Sequence, residues 1–407
     1  RRVAISTLNT VACEAISNVV TVTVNNLLAG TISDDETICS GGDPIAFVND
    51  ASATGDGTIT YRWEVNTNLT TPSWSTASGT ATNATYDAGV LTADAQYRRV
   101  AISTLNTVAC EAISNVVTVT VNNLTSGTIT ASQTICSDTD NPASFHGDGI
   151  DGSTAATGDG TLTYEWERST ASDFSANLTT VGTSENFDEG TFTNTTSSDV
   201  IYYYRRITTS TLNSIICTET SNTITITVKP EPVISNITHT VCSSNEIGTG
   251  TTLLPTNASV NEEVATWYIT NVELNGNTVV SGVPTAQQNA SPSTPYTFSS
   301  NTTIEDDVYK NVTNTAQDIV YTMYALGVNG CQGDEFTVTV TINPEPYDSA
   351  DDDNTLSACS DETYTIDLDQ IIDNNPDPGV LHQVTYSWTV DPTTNIFLAR
   401  TAGGTYA

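Results

Sequence analysis

The chain has 407 residues, with 47 acidic against 11 basic and a formal net charge of −36. That balance argues against nucleic acid as a partner, because phosphates call for Lys and Arg, and anionic lipid would repel the chain. Only 14% of residues are charged, so most polarity comes from Thr, Ser and Asn, the residues of exposed strands and turns; regular strand patterns and tryptophans argue against disorder.

The stretch Arg1–Leu27, RRVAISTLNTVACEAISNVVTVTVNNL, recurs unchanged at Arg98–Leu124. A looser copy lies at Arg205–Val228 and a distant echo at Tyr321–Ile342. A period of roughly 100 residues marks a tandem array. Residues 1–26 read as the closing hairpin of a truncated repeat. Residues 27–123, 124–228 and 229–343 read as complete repeats, and 344–407 as the opening part of another. There is no initiator Met and no apolar run long enough to cross a bilayer. The chain therefore reads as an internal piece of a longer protein, with no membrane insertion.

Within the first complete repeat, Gly30–Ser33 reads as a short strand and Thr37–Pro44, TICSGGDP, as a turn. Ile45–Asp50 follows as a strand, Ala53–Thr58 as a turn, and Ile59–Val65 alternates as a strand should. A Thr/Ser/Asn-rich middle leads to the closing pair, QYRRVAIST and NVVTVTV. In the copy at the start of the chain, Val20, Val22 and Val24 alternate with Thr21 and Thr23, which puts the valines on one face. The second repeat keeps this order and is longer, in part through HGDGIDGST before its TGDG turn. The third has drifted further; its Asn329-Gly330 is the signature of a two-residue hairpin turn, which sets Cys331 beside the tip. The junctions are short (VNNL) or proline-stiffened (Lys229–Pro232 and Asn343–Pro346), and restrict the angle between domains. No helical periodicity is convincing, although Ile366–Gly379 has room for one helical turn. The expected fold class is all-β: a tandem array of immunoglobulin-like β-sandwiches forming an elongated rod.

Eight cysteines, Cys13, Cys39, Cys110, Cys136, Cys217, Cys242, Cys331 and Cys359, fall two to a complete repeat in equivalent places. That regularity implies disulfides and an oxidising, extracellular setting. Zinc is not expected, since no C-x2-C pair occurs and His146, His239 and His382 occupy unrelated positions. Each repeat also places a Trp between its cysteines: Trp63, Trp166 and Trp267, with Trp388 in the last segment. Cys…Trp…Cys is the pattern of immunoglobulin-like sandwiches, where the Trp fills the core. Here the cysteines fall in the first turn and at the closing hairpin tip. In immunoglobulin topology those loops lie at opposite ends, over about 20 Å apart along an eight-residue strand, against a disulfide Cα reach of about 7 Å. Two solutions stand. A short first strand lets the cysteines meet within a repeat (Cys39–Cys110, Cys136–Cys217, Cys242–Cys331). Otherwise the bottom of one repeat is stapled to the top of the next (Cys39–Cys217, Cys136–Cys331).

ICSG or ICSD near the start, TYRW or TYEW in the middle, YRR, and then a Cys followed by Ser-Asn before a V/I-T-V/I-T-V strand resemble the PKD/immunoglobulin-like repeats of Bacteroidota surface proteins. Arrays of near-identical copies are similar to those of the giant gliding-motility adhesins of that group. The resemblance covers the whole chain and implies PKD-like domains, export by the type IX secretion system, anchor proteins at the outer-membrane surface, and a filament that grips an extracellular substratum or surface glycans.

Arg98-Arg99 and Arg205-Arg206 are candidates for anionic glycans, but neighbouring strand residues face opposite ways, and on so acidic a surface ion pairing is the expected role. Calcium is the one ion the acidic loops would suit. The candidate ligands are Asp148, Asp151, Asp351 and Asp353, together with the TGDG turns, but none forms a complete calcium-loop pattern, and plain solvated turns are the competing reading. No cofactor is expected. There is no G-x-S-x-G, HExxH or phosphate loop, and carboxylate pairs in so acidic a chain carry no diagnostic value, so no catalytic residue is expected. Asp348-Ser349-Ala350 resembles the O-glycosylation signal of Bacteroidota. The chain therefore reads as part of a non-enzymatic surface adhesin. A spacer or carbohydrate-binding region of a secreted enzyme, or a calcium-dependent surface-layer protein, are the alternatives.

Overall fold

The computed structural model describes residues 1–138, 140–255, 261–313 and 315–344, and beyond these only the backbone of 386–388 and 404–406. Asp351, Asp353, Cys359, the Asp348-Ser349-Ala350 signal, the side chain of Trp388 and the helical turn expected within 366–379 lie outside the described residues. Two compact units form. One comprises 1–133, 143–189 and 202–226; the other comprises 134–142, 190–201 and 227–407. Among the described residues the only helix is Thr285–Gln288. The chain is a tandem series of immunoglobulin-like β-sandwich repeats.

In the first complete repeat the main sheet runs Glu36–Cys39, Val108–Asn122, Ala95–Leu105, Thr58–Asn66, Ser75–Thr76. Glu36–Cys39 runs parallel to the end of Val108–Asn122, with Ile38 opposite Val121 and Cys39 opposite Asn122. The reading of Thr37–Pro44 as a turn is thus corrected in its first half. Thr37, Ile38 and Cys39 form an edge strand because their partner, some eighty residues on, offers unpaired backbone groups; the turn begins at Ser40. Facing this sheet are the short pairs Leu27–Leu28 with Thr54–Gly55 and Thr31–Ser33 with Val48–Ala51. Between the layers sit Phe47, Trp63, Tyr86 and Tyr97 with Val117, Val119 and Val121. Trp63 lies 5.4 Å from Tyr86, ring to ring, and its indole N–H donates to the Asn83 carbonyl at 2.9 Å.

The second repeat repeats this plan, with its sheet running Gln133–Cys136, Ile224–Lys229, Val200–Leu212, Thr161–Ser169, Thr179–Gly182. Phe145, Trp166, Phe187 and Tyr204 replace the first aromatic box, and the Trp166 indole again donates to a carbonyl, that of Ser184, at 2.8 Å. In the third repeat Ile237–Cys242 runs parallel to Phe336–Asn343, and Trp267, Tyr309, Tyr321 and Met323 fill the core.

Two identical sequences meet different fates. Val117, Val119 and Val121 are at most 1% exposed, inside a sheet. Their counterparts Val20, Val22 and Val24 are 72%, 82% and 67% exposed and belong to no strand. The alternation is the same; the second copy is paired on one side with Ala95–Leu105 and on the other with Glu36–Cys39. Strand propensity is realised only where packing partners exist.

The closing hairpins turn at Asn9–Thr10, Asn106–Thr107 and Asn213–Ser214, all with positive φ (48° and 64°, 47° and 70°, 48° and 69°). Consecutive left-handed residues define the tight turn whose twist matches the strands. The third repeat departs from the expected two-residue turn at Asn329-Gly330. The Gly327 N–H reaches the Cys331 carbonyl, so the loop is wider, and the Asn329 side chain turns back to accept the Cys331 N–H at 2.9 Å.

Candidate functional site

The chemistry that recurs from repeat to repeat lies at the junctions. In the first unit Asn25 and Asn26 lead into the first complete repeat. Asn25 Nδ2 donates to the Ser103 carbonyl at 2.8 Å and Ser103 Oγ donates back to Asn25 Oδ1 at 2.8 Å. Asn26 donates through both its backbone N–H and its side chain to Asp56 Oδ2, at 2.9 and 2.8 Å. Those two bonds hold the Asp56 carboxyl below its usual range. The Gly57 N–H closes the clamp on Ser103 Oγ at 3.0 Å. Gly57 must be glycine: a Cβ there would lie 2.3 Å from the Thr104 carbonyl.

The next junction repeats the clamp atom for atom. Asn122 and Ser210 exchange bonds of 3.0 and 2.7 Å, Asn123 donates twice to Asp159 Oδ2 at 2.8 and 2.9 Å, and the Gly160 N–H reaches Ser210 Oγ at 3.1 Å. Here the ring is buried: Asn122 and Ser210 are both inaccessible to solvent. The acidic TGDG turns, candidates for calcium in the sequence, thus direct Asp56 and Asp159 onto the linker amides.

A covalent staple reinforces the clamp. Cys39 of the first repeat is bonded to Cys217 of the second, with Cα atoms 5.7 Å apart. Beside it Asn213, at the hairpin tip, donates to Thr37 Oγ1 at 3.1 Å. In the second unit Cys136 is bonded to Cys331 of the third repeat at a Cα separation of 5.4 Å. Of the two pairings left open by the spacing, the structure adopts the one between repeats. The edge strand ends at one pole of its repeat, and the tip hairpin of the next repeat meets it there. Cys13, Cys110 and Cys242 are free thiols.

The KPEP junction in that unit is built differently. Pro230, Glu231 and Pro232 are buried. Lys229 Nζ donates to the Asn329 carbonyl at 3.1 Å and Asn329 Nδ2 donates to the Pro230 carbonyl at 2.8 Å. Glu231 Oε2 has no hydrogen-bond partner. Burial, together with the charges of Asp334 and Asp138, pushes its carboxyl up to about 7.

Each arginine pair divides as alternation requires. Arg98 pairs with Glu64 at 2.7 Å and Arg205 with Glu167 at 2.6 Å. Arg99 and Arg206 are fully buried. Arg99 donates to Asn49 Oδ1 and to the carbonyls of Ala84, Ala29 and Ala51, and lies 4.7 Å from the Tyr61 ring centre. Arg206 donates to the carbonyls of Gly147, Glu185 and Ser126 and lies 4.8 Å from Tyr164. Burial lowers both guanidinium pKa values from their ordinary value. Ion pairing thus accounts for the outer arginine of each pair only; the inner one ties loops to the sheet.

Asp148 and Asp151 flank His146, each with a carboxylate oxygen 3.6 Å from a ring nitrogen. Asp148 Oδ2 also accepts from Asn186 Nδ2 at 2.7 Å. Among the described residues no group of three or more His, Cys, Asp or Glu side chains is placed to hold a metal. The clamp residues Asn25, Asn122, Ser103 and Ser210 escaped the sequence reading; the signal available was the recurrence of both VNNL and TGDG in step with the repeat.

Comparison with known proteins fits this architecture. Residues 28–123 and 125–230 each match a domain of unknown function (DUF8696), and residues 239–346 match a PKD-like domain. No curated protein matches the sequence. Among solved structures, three repeats of mouse protocadherin-24 (EC1-3) align at 11% identity, covering 77% of this chain and 98% of that one, with a TM-score of 0.29. The three N-terminal domains of the bacteriophage RB49 outer capsid protein Hoc align at 13% identity over 77% and 98%, TM-score 0.22, and chicken CNTN1 FN1-FN3 at 11% over 75% and 99%, TM-score 0.24. The fold assignment rests on the sheets described above and on the PKD-like match. Two disulfides in immunoglobulin-like and PKD-like domains mark an extracellular type of protein. Among the described residues no helix is long and apolar enough to cross a membrane.

Proposed function

We propose that the chain is a segment of a non-enzymatic adhesin filament on the cell surface, in which stapled β-sandwich repeats transmit tension from an anchor to a gripped surface. The observation that carries this reading is the pair of disulfides between successive repeats. The Cys39–Cys217 bond spans a sequence separation of 178 residues. Because Cys136–Cys331 interlocks with it, a pull on the chain ends passes through both pairs of sulfurs, and of the chain from Cys39 to Cys331 only the stretch between Cys136 and Cys217 lies on the shortest path. Without the two bonds the rest of the chain from Cys39 to Cys331 would release up to roughly 700 Å of extended chain. An enzyme gains little from such bypasses; a tether gains from each one.

The gliding-motility form of this reading draws on the sequence resemblance: export by the type IX system, anchoring at the outer-membrane surface of a member of the Bacteroidota, and attachment to an extracellular substratum or surface glycans. Electron microscopy of the intact protein on and off the cell tests it. The expected result is a thin filament much longer than this chain, fixed at the outer membrane and moving with the cell surface. A short released protein with a compact additional domain would overturn it and make these repeats the spacer of a secreted enzyme.

A further inference from the structure

Both disulfides obey one rule: the cysteine ending the edge strand of a repeat bonds the hairpin-tip cysteine of the next. Cys110 occupies in the first repeat the position Cys217 occupies in the second. Cys110 lies opposite Ser103 as Cys217 lies opposite Ser210, and each stands three residues after the left-handed turn pair. Cys242 occupies the place of Cys39. It is the last residue of the parallel edge strand and lies opposite Asn343, as Cys39 lies opposite Asn122. Both are free thiols, Cys242 exposed and Cys110 half-buried.

A second observation concerns the same end of the first repeat. The linker clamp there is already closed: Asn25 and Asn26 hold Ser103 and Asp56 with the geometry that Asn122 and Asn123 use on Ser210 and Asp159. The end that carries Cys110 therefore holds the linker asparagines in the stapled geometry, without the edge strand that carries the second sulfur. We propose that Cys110 is a docking half-site for the edge strand of another repeat of this kind, whose T-I-C-S segment supplies the second sulfur, and that Cys242 is the mirror half-site for a hairpin tip. Beside the sulfur, Asn106 stands ready to take the threonine of that segment, as Asn213 takes Thr37. The bond forms by exchange with a low-molecular-weight disulfide: two protein thiols and one glutathione disulfide give one protein disulfide and two glutathione thiols. The inference is independent of what the filament grips.

The sequence supplies its own test. Because Arg1–Leu27 and Arg98–Leu124 are identical, a second copy of residues 28–97 placed ahead of Arg1 completes a full repeat. In this extended chain Cys13→Ser removes the one thiol whose peptide duplicates that of Cys110, and Ser40→Thr in the added copy gives its Cys39 peptide a distinct mass. The protein is oxidised in glutathione buffer, alkylated without reduction, digested and mapped by mass spectrometry. The expected result is that the tagged Cys39 peptide is disulfide-linked to the Cys110 peptide, and that Cys110, alkylated in the original chain, is protected in the extended one. Continued alkylation of Cys110, or its linkage to the Cys39 of its own repeat, overturns the proposal. So does absence of the Cys39–Cys217 link from the same digest, since the pairing rule would then be wrong.

Discussion

Asn122 and Ser210 close a two-membered ring across a repeat boundary: the Asn122 amide donates to the Ser210 carbonyl and the Ser210 hydroxyl donates back to the Asn122 carbonyl oxygen. Both are buried, and the hydroxyl also accepts the Gly160 N–H. Neither side chain can be removed without leaving polar groups unpaired away from water.

Asn122→Ala and Ser210→Ala should therefore each destabilise the junction by about 2 kcal/mol. The double variant should cost less than the sum, because one ring is being broken twice. Urea unfolding of the single and double variants measures this, and strict additivity would show that the ring does not act as a unit.

Arg98 and Arg99 are neighbours with opposite burdens. Arg98→Ala removes a partly exposed ion pair and should cost about 1 kcal/mol or less. Arg99→Lys keeps the charge but loses the planar fork that serves four oxygen acceptors in a buried cage, and should cost about 3 kcal/mol. Thermal or urea melts compare the two directly; equal costs would mean that the cage contributes nothing.

The third repeat should be most stable in mild acid. Asp307 is fully buried, accepts from Tyr321 Oη at 2.6 Å and from the Gln287 side chain, and has no partner for its other oxygen. Burial raises its carboxyl from 3.8 to about 6 despite those bonds, and Glu231 is raised from 4.5 to about 7. The folded state thus holds both protons to higher pH than the unfolded chain does. This contribution is fully present below about pH 4 and is lost as pH rises through 6 to 7, on the order of 2 kcal/mol per group. Calorimetric melts of the oxidised chain should show a transition that falls between pH 5 and 8, and Asp307→Asn with Glu231→Gln should flatten it.

Reducing the staples should change how the chain extends under force. Oxidised, the two interlocked bonds leave only the stretch between Cys136 and Cys217 on the shortest path from Cys39 to Cys331, so the chain should extend far less when pulled from the ends. Reduced, each repeat should unfold as its own step of roughly 300 Å, from about a hundred residues at 3.3–3.6 Å each less the folded span. Single-molecule extension with and without reductant reads the difference, and identical traces would remove the disulfides from the path of tension.

The repeat period, the strands around Trp63 and Trp166 and the closing hairpins were legible in the sequence because each is encoded by local alternation. What was not legible depended on partners distant in the chain. Thr37–Cys39 looks like the start of a turn until a parallel strand near Val121 is set beside it. The spacing of Cys39, Cys110 and Cys217 suits either pairing; only the poles at which the edge strand and hairpin end decide. Alternation correctly divides Arg98 from Arg99, yet it gives no hint that carbonyl oxygens rather than a carboxylate would receive the inner one. Asn122 and Asp159 are ordinary turn residues until the fold brings them to the linker.

The exact recurrence of Arg1–Leu27 at Arg98–Leu124 places a tip cysteine and the linker asparagines together inside the duplicated stretch. Recombination between such identical stretches inserts or deletes one whole repeat in register. Since every staple joins a repeat to its immediate neighbour, any number of repeats satisfies the same pairing rule. A product longer or shorter by one whole repeat therefore strands no thiol in the interior of the array, so repeat number can vary separately from fold.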